Sequence, residues 1–220
     1  MSTAETTHDD EHARRAAADA GNPEAPNIVT PPGNPALIGL PAFIVGSIAL
    51  GLVLVGYVPA AAVGASIPIV LTATGFGQTI AAVWAASLGE SAVASVFGVF
   101  SGFWLSYAAL VLGLTHNWYG ITTENALGVQ KLFLLTWFIT IVLLTLVSLR
   151  LPLAFTVLFV LVDLALALVY FGTANASTTV TEAGGIAVFA FVLVGMYLYM
   201  DAMSAATGGR TFPQGTPLLH

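Results

Sequence analysis

The sequence predicts an all-α membrane protein of six transmembrane helices, and three observations carry that expectation. Hydrophobic residues make up 57% of the 220 and charged residues only 7%, where soluble domains carry about 25% charged residues. The mean hydropathy is +0.91, too high for a chain that must present a polar surface to water. Between positions 36 and 203, apolar stretches of about 20 residues, the length that spans a hydrocarbon core, follow one another with short breaks.

The net charge of -6 says little about partners, because six of the eleven acids (Glu5, Asp9, Asp10, Glu11, Asp19, Glu24) fall in the first 33 residues. Nucleic acid is not an expected partner of an acidic tail joined to a membrane bundle. No cysteine is present, which removes disulfides, thiolate metal sites and cysteine nucleophiles and leaves the redox compartment open.

In chain order, residues 1–33 mix acids, Ala, Thr and Pro without an apolar stripe, and are expected to be a disordered cytoplasmic tail. They lack the pattern of a cleaved signal peptide. Residues 34–206 are the six-helix transmembrane domain and 207–220 a short C-terminal tail. The first span covers 36–58. Asn34 is its N-cap, with a side chain able to accept from free helix amides, and Pro35 takes the first helical position. Pro41, one turn on, has no N–H for the carbonyl of Leu37, so a bend is expected there. Span two covers 67–88 with Pro68 in its first turn, and span three 92–114. A polar connection, 116–130, holds Trp118 and Tyr119 as interfacial anchors. Spans four to six cover 131–149, 152–171 and 183–203. Six spans place both termini on one side. Arg14, Arg15, Arg150 and Arg210 against Lys131 alone make that side cytoplasmic, the termini of a multi-pass protein of the cell membrane.

Small residues recur every four positions in span two (Gly77, Ala81, Ala85, Gly89) and span three (Ala94, Gly98, Gly102, Ser106). In lipid such ladders let helix backbones approach closely; they also leave room for a lumen. Polar groups within spans need a partner or a wet cavity. Gln78, with Thr74 on the same face, reads equally as helix glue or path lining. Asp163, in the middle of span five, costs about 2.5 to 3.5 kcal/mol on insertion scales. It is a candidate for proton coupling or, with equal weight, a carboxyl bonded to a neighbouring helix. Phe43, Phe100, Phe103, Trp104, Tyr107 and Trp137 lie deep enough to border a path, although most aromatics in such a chain face lipid.

All four histidines (His8, His12, His116, His220) lie outside the spans and Lys131 begins one. Haem held by histidine, a mid-membrane histidine metal site and a retinal Schiff base are therefore not expected. No nucleophile motif or phosphate-cradling glycine loop is present, so neither enzymatic activity nor any cofactor is expected.

Asn34-Pro35-Ala36-Leu37-Ile38-Gly39-Leu40 resembles the Asn-Pro-Ala-Pro-Leu-Gly-Leu signature of the acetate uptake transporter family, the succinate-acetate permease type. The resemblance continues through Gly75-Phe76-Gly77-Gln78, Phe103-Trp104, Phe133 to Trp137, Leu149-Arg150 and Ala183-Gly184-Gly185, in order and spacing, over nearly all of 34–203. It implies a six-helix subunit around a central solute path in a ring of six copies, carrying small carboxylates such as acetate or succinate as a channel or with protons. The family's path residues fall on Phe43, Phe100 and either Leu161 or Val162. With Asn34 at the cytoplasmic mouth, Gln78, Ser101 and Trp104 complete the expected path. The chain departs from the pattern at Ile38, at Glu90-Ser91-Ala92-Val93, at Val99-Phe100-Ser101 and at Ala85, and Asp163 has no counterpart. Three other expectations stand beside this one. A channel for urea or an amide would share the architecture, a structural membrane subunit would use the ladders for assembly, and an intramembrane enzyme would have to act through Asp163 alone.

Overall fold

The structure, a computed structural model, describes residues 33–219; the acidic stretch expected to be disordered lies outside the described residues apart from Gly33. Among the described residues six helices are long and apolar enough to cross a membrane: α1 (Ala36–Leu54), α2 (Ile69–Ser87), α3 (Ser91–Thr115), α4 (Thr123–Ser148), α5 (Leu153–Ala174) and α6 (Thr178–Ala206).

The helix ends follow capping chemistry that hydropathy does not report. Asn34 Oδ1 accepts from the Ala36 amide at 2.9 Å, as expected of a side chain ahead of a proline-led first turn. Helix α1 runs unbroken through Pro41 and stops at Leu54, four residues before the expected end. The reason is Gly56, whose φ of +76° lets the amides of Gly56 and Tyr57 fold back onto the carbonyls of Val53 and Leu52, a terminating pattern that suits glycine. Gly89 does the same for α2: its φ is +80°, and the amides of Gly89 and Glu90 close onto Ala86 and Ala85. It is therefore a helix stop and not the last rung of a packing ladder.

Two helices begin earlier than expected. Helix α4 starts at Thr123 and not at 131, with Glu124 in its first turn, where a carboxylate complements the helix dipole. Helix α6 starts at Thr178, five residues early, capped by Ser177 Oγ, which accepts from the Val180 amide. In both cases a polar helical end extends beyond the apolar stretch that marks the span.

A short 3₁₀ stretch (Ala60–Ser66) leads into α2, whose first part, Ile69–Phe76, winds in wider π-type turns before regular α geometry resumes at Gly77. Neighbours in space run α1–α2–α3 on one side and α1–α6–α5–α4 on the other, so the bundle is a ring about an axis. The ring's loosest backbone approach is between α3 and α4. Rings fill that seam: Trp137 lies against Gly102, 3.3 Å from where a Cβ would stand, and Phe103 contacts both Trp137 and Phe133. The span-two ladder closes contacts within the chain, with Ala81 and Ala85 fully buried and Gly77 pressed against Ala42 of α1.

Candidate functional site: two vestibules and an aromatic plug

The interior of the ring holds two cavities. The first, about 390 Å³, opens among the starts of α1, α3 and α5 and the end of α6, and is called here the terminal vestibule. The second, about 280 Å³, lies among the ends of α1, α3 and α5 and the early part of α4, and is the far vestibule. Phe43 and Phe100 line both, so the two spaces meet at these rings.

Four phenylalanines from four helices form the barrier. Phe43 (α1) meets Phe100 (α3) edge-on with centroids 5.0 Å apart and Phe191 (α6) at 5.4 Å, while Phe100 stacks on Phe159 (α5) at 5.9 Å. All four are buried. Phe43 and Phe100 are the positions on which the family resemblance places path residues, and both border the two cavities. The α5 contribution to the plug is different: Phe159 supplies the ring against Phe100, Val162 lines only the far vestibule, and Leu161 lines neither cavity. Helical phase decides this, since neighbouring residues on a helix point about 100° apart and a register uncertain by one or two positions selects another face. Phe159 and Phe191 carry no signal that separates them from lipid-facing aromatics in the sequence alone.

Polar groups are few. The terminal vestibule is walled by apolar side chains except for Asn34, Gln78, Asp201 and Gln214, and no Lys, Arg or His is among the described residues lining either cavity. Gln78 is fully buried and neither its amide nitrogen nor its oxygen has a protein partner. Ser47 Oγ and Thr74 Oγ1, on the facing turns of α1 and α2, are likewise without partners, and Thr74 packs on Gly46. In the far vestibule the wall includes Trp104, whose indole N–H is buried without an acceptor. Buried polar atoms without partners cost about 1–3 kcal/mol each, and they persist in folded proteins chiefly where a ligand, water or function uses them.

Two expected residues stand elsewhere. Ser101 lines neither cavity: its hydroxyl donates to the carbonyl of Gly75 at 3.0 Å and lies 2.6 Å from Thr79 Oγ1. That pair of hydroxyls sits where the wide turns of α2 give way to α geometry, and it ties α3 to α2 at Gly75 and Thr79, on either side of Gln78 in the chain. Asp163 also lines neither cavity. Its Oδ2 accepts from Thr145 Oγ1 at 2.7 Å across the α4–α5 contact, a bond of the helix-to-helix kind, while its Oδ1 is buried without a protein partner.

Asp201 is the acid that sequence reasoning passed over. It lies in the last turns of α6, is buried, and lines the terminal vestibule. The test that singled out Asp163, an acid within an apolar helix, applies equally to it. The C-terminal tail is also more than a short end: Gln214 reaches the vestibule wall and its side chain donates to Asp201.

Comparison with known proteins places these features in a wider group. The model of the GPR1/FUN34/yaaH family matches residues 18–216. The chain is 32% identical over 169 residues to the Meiotically up-regulated gene 86 protein of Schizosaccharomyces pombe, covering 67% of this chain and 50% of that protein. It is 30% identical over 150 residues to Acetate permease A of Emericella nidulans, covering 63% and 49%. The chain thus spans about half the length of the curated relatives it matches. The solved bacterial acetate channel SatP superposes with a TM-score of 0.73 at 21% identity, over 82% of this chain and 98% of that one; the two share a fold.

Proposed function

The chain belongs to the GPR1/FUN34/yaaH family, as its resemblance to acetate uptake transporters led one to expect, and from that premise we propose that it conducts small carboxylic acids such as acetate or succinate across a cell membrane. The observation that carries this reading is the pair of vestibules meeting at the Phe43–Phe100 plug, one at each end of a six-helix ring. Cavities of about 390 and 280 Å³ hold a solute of a few heavy atoms, and a ring of apolar side chains can gate by excluding water until small side-chain movements let solute and solvent through.

Helix dipoles favour an anion at the terminal end, against the Asp201 carboxylate in the same wall. Two helices, α1 and α3, contribute residues of their first turn or of the cap just ahead of it to that vestibule (Asn34 and Ala36, Ala92 and Val93), and Leu151 just before α5 joins them; helix N-termini carry partial positive charge. Without a lysine or arginine in the walls, such attraction is weak, as passage requires: a solute held too tightly does not leave. Asn34 marks the mouth, Gln78 and Trp104 offer hydrogen bonds on either side of the plug, and Val162 narrows the far side.

We further read both termini as cytoplasmic. Arg150 and Arg210 follow the ends of α4 and α6 at the terminal end, whereas Lys131 lies near the start of α4 at the other, the distribution expected when the arginine-rich side faces the cytoplasm. Six copies in a ring, each with its own path, complete the proposal. The outward apolar side chains of α4, among them Leu132, Ile139, Leu143 and Val147, supply surface for lipid and for neighbouring copies.

One alternative has an observation in its favour: walls this apolar, without a cation, also suit a neutral solute such as urea. Flux of labelled acetate, succinate and urea into liposomes, with and without a pH gradient, separates the readings. Acetate uptake is the expected result, and uptake stimulated by an inward proton gradient identifies coupling. Urea flux alone replaces the carboxylate reading, and a sealed membrane for all three favours a structural subunit.

A further inference from the structure

Beyond the plug, the end of α6 and the chain after it form a second device at the terminal mouth. Both oxygens of Asp201 accept hydrogen bonds from the tail, Oδ1 from the backbone N–H of Phe212 and Oδ2 from the side-chain amide of Gln214. The same tail is fastened at independent points. Ser204 Oγ donates to the Arg210 carbonyl at 2.7 Å, Tyr197 OH donates to the Pro213 carbonyl at 2.7 Å, and the Ala154 amide donates to the Gln214 carbonyl at 2.9 Å. Beyond Gly215, whose φ of +78° turns the chain beside Leu153, the amides of Leu218 and Leu219 close on the Leu149 carbonyl at 3.0 and 2.9 Å. Residues 209–219 are thus a strap from the end of α6 to the α4–α5 turn, with Gln214 set into the vestibule wall.

Asp201 is the one acidic or basic residue among the described residues lining either cavity. Its sign is wrong for an anion path. In a poorly solvated space a bare carboxylate repels a passing carboxylate far more than it would in water, and desolvation gives it no effect of comparable size on a neutral solute of the same shape. Hydrogen bonds from an N–H on each oxygen set two donor dipoles against that charge and weaken the field it casts into the lumen.

We propose that the strap sets the charge selectivity of the terminal vestibule. With Phe212 and Gln214 docked on Asp201, an anion passes the wall. With the strap lifted, the exposed carboxylate turns anions away and admits uncharged solutes. Gln214 is on this account a positioning and specificity residue that acts through Asp201. The inference rests on the carboxylate reading of function.

The test is the flux of labelled acetate and of acetamide, its neutral isostere, at pH 7 through liposomes holding the full chain. Gln214→Leu should lower acetate flux roughly tenfold relative to acetamide, a modest repulsion at low dielectric. Asp201→Asn added to Gln214→Leu should restore the ratio. A purely structural strap predicts that the two fluxes fall together and that the second substitution does not rescue; either result overturns the proposal, as does an unchanged ratio. A wild-type protein that carries no acetate overturns the carboxylate reading itself, and this inference with it. Should Gln214→Leu fail to fold, Gln214→Glu, which sets a second carboxylate against Asp201, must lower the ratio further, and an unchanged ratio again overturns the proposal. Trypsin cleavage after Arg210 reads strap docking separately: faster cleavage in either variant than in the wild type is expected, and equal rates contradict the role of Gln214 in holding the strap.

Discussion

The plug is built from residues that stabilise the protein and obstruct it at once. Phe100 touches Phe43 and Phe159 and borders both vestibules. Truncating a fully packed phenylalanine costs about 3–5 kcal/mol; Phe100→Ala should fall at the low end, because the space it opens joins cavities already present. Tight apolar pockets separate ligands differing by one methylene by about 1–3 kcal/mol, so in Phe100→Ala the preference for acetate over butyrate should shrink in liposome uptake. An unchanged preference would place the selecting step elsewhere. Gln78 makes the opposite case. Each of its two unpartnered buried atoms costs about 1–3 kcal/mol in the folded state. Gln78→Leu should therefore raise the thermal midpoint in detergent while lowering acetate uptake. A variant both more stable and fully active would mean that Gln78 serves neither passage nor helix packing.

Helices meet in this bundle where backbone space and hydroxyl partners allow it. At the α5–α6 hairpin, a Cβ on Gly172 would stand 2.8 Å from the Thr181 amide nitrogen, and backbone cannot yield as a side chain can. Gly172→Ala should destabilise the protein by about 1–3 kcal/mol, seen as a lowered thermal midpoint; an unchanged midpoint would mean the hairpin is looser than its packing indicates. Across α4–α5 the tie is Thr145 to Asp163. Such bonds within membranes average about 0.6 kcal/mol, and Asn can accept from Thr145 as Asp does. Asp163→Asn is thus expected to leave both stability and the pH profile of uptake nearly unchanged. A shifted profile would restore Asp163 as a proton group. In α2 the wide turns and the Ser101–Gly75 bond place Gln78 on the vestibule wall, an instance of π-type geometry beside a functional group.

The six-helix unit is a ring closed mainly by close helix approach, with one seam filled by side chains. Between α3 and α4 the Phe103, Tyr107, Phe133 and Trp137 rings keep the helices apart, and the first three of them wall the far vestibule. Helix α4 is also the span with the smallest buried share, 11%. Van der Waals contact is what drives helices together in lipid, so a helix held this loosely within one copy gains most from a neighbour. In detergent the protein is expected to run as a stable oligomer of six chains by native mass measurement; a monomer that still conducts acetate would show that one bundle suffices.

The sequence alone determined the membrane class, the six spans and the Asn34 cap, because hydropathy over about 20 residues and proline-led caps are local properties; Phe43 and Phe100 stood out only through the family resemblance. Tertiary structure decided the rest. Whether an aromatic faces lipid or lumen depends on helix rotation, to which hydropathy in lipid is nearly blind: Phe159 and Leu161 are both apolar, yet Phe159 stacks on Phe100 and Leu161 lines neither cavity. Whether a hydroxyl or carboxylate lines a path or ties two helices depends on what stands opposite, which is why Ser101 bonds to α2 and lines neither cavity, Asp163 bonds to Thr145 of α4, and Asp201 lines the terminal vestibule. The strap is the clearest instance, since residues 209–219 carry no apolar periodicity. Their place at the mouth comes from hydrogen bonds to Leu149, Ala154, Tyr197 and Asp201, partners that only folding brings together.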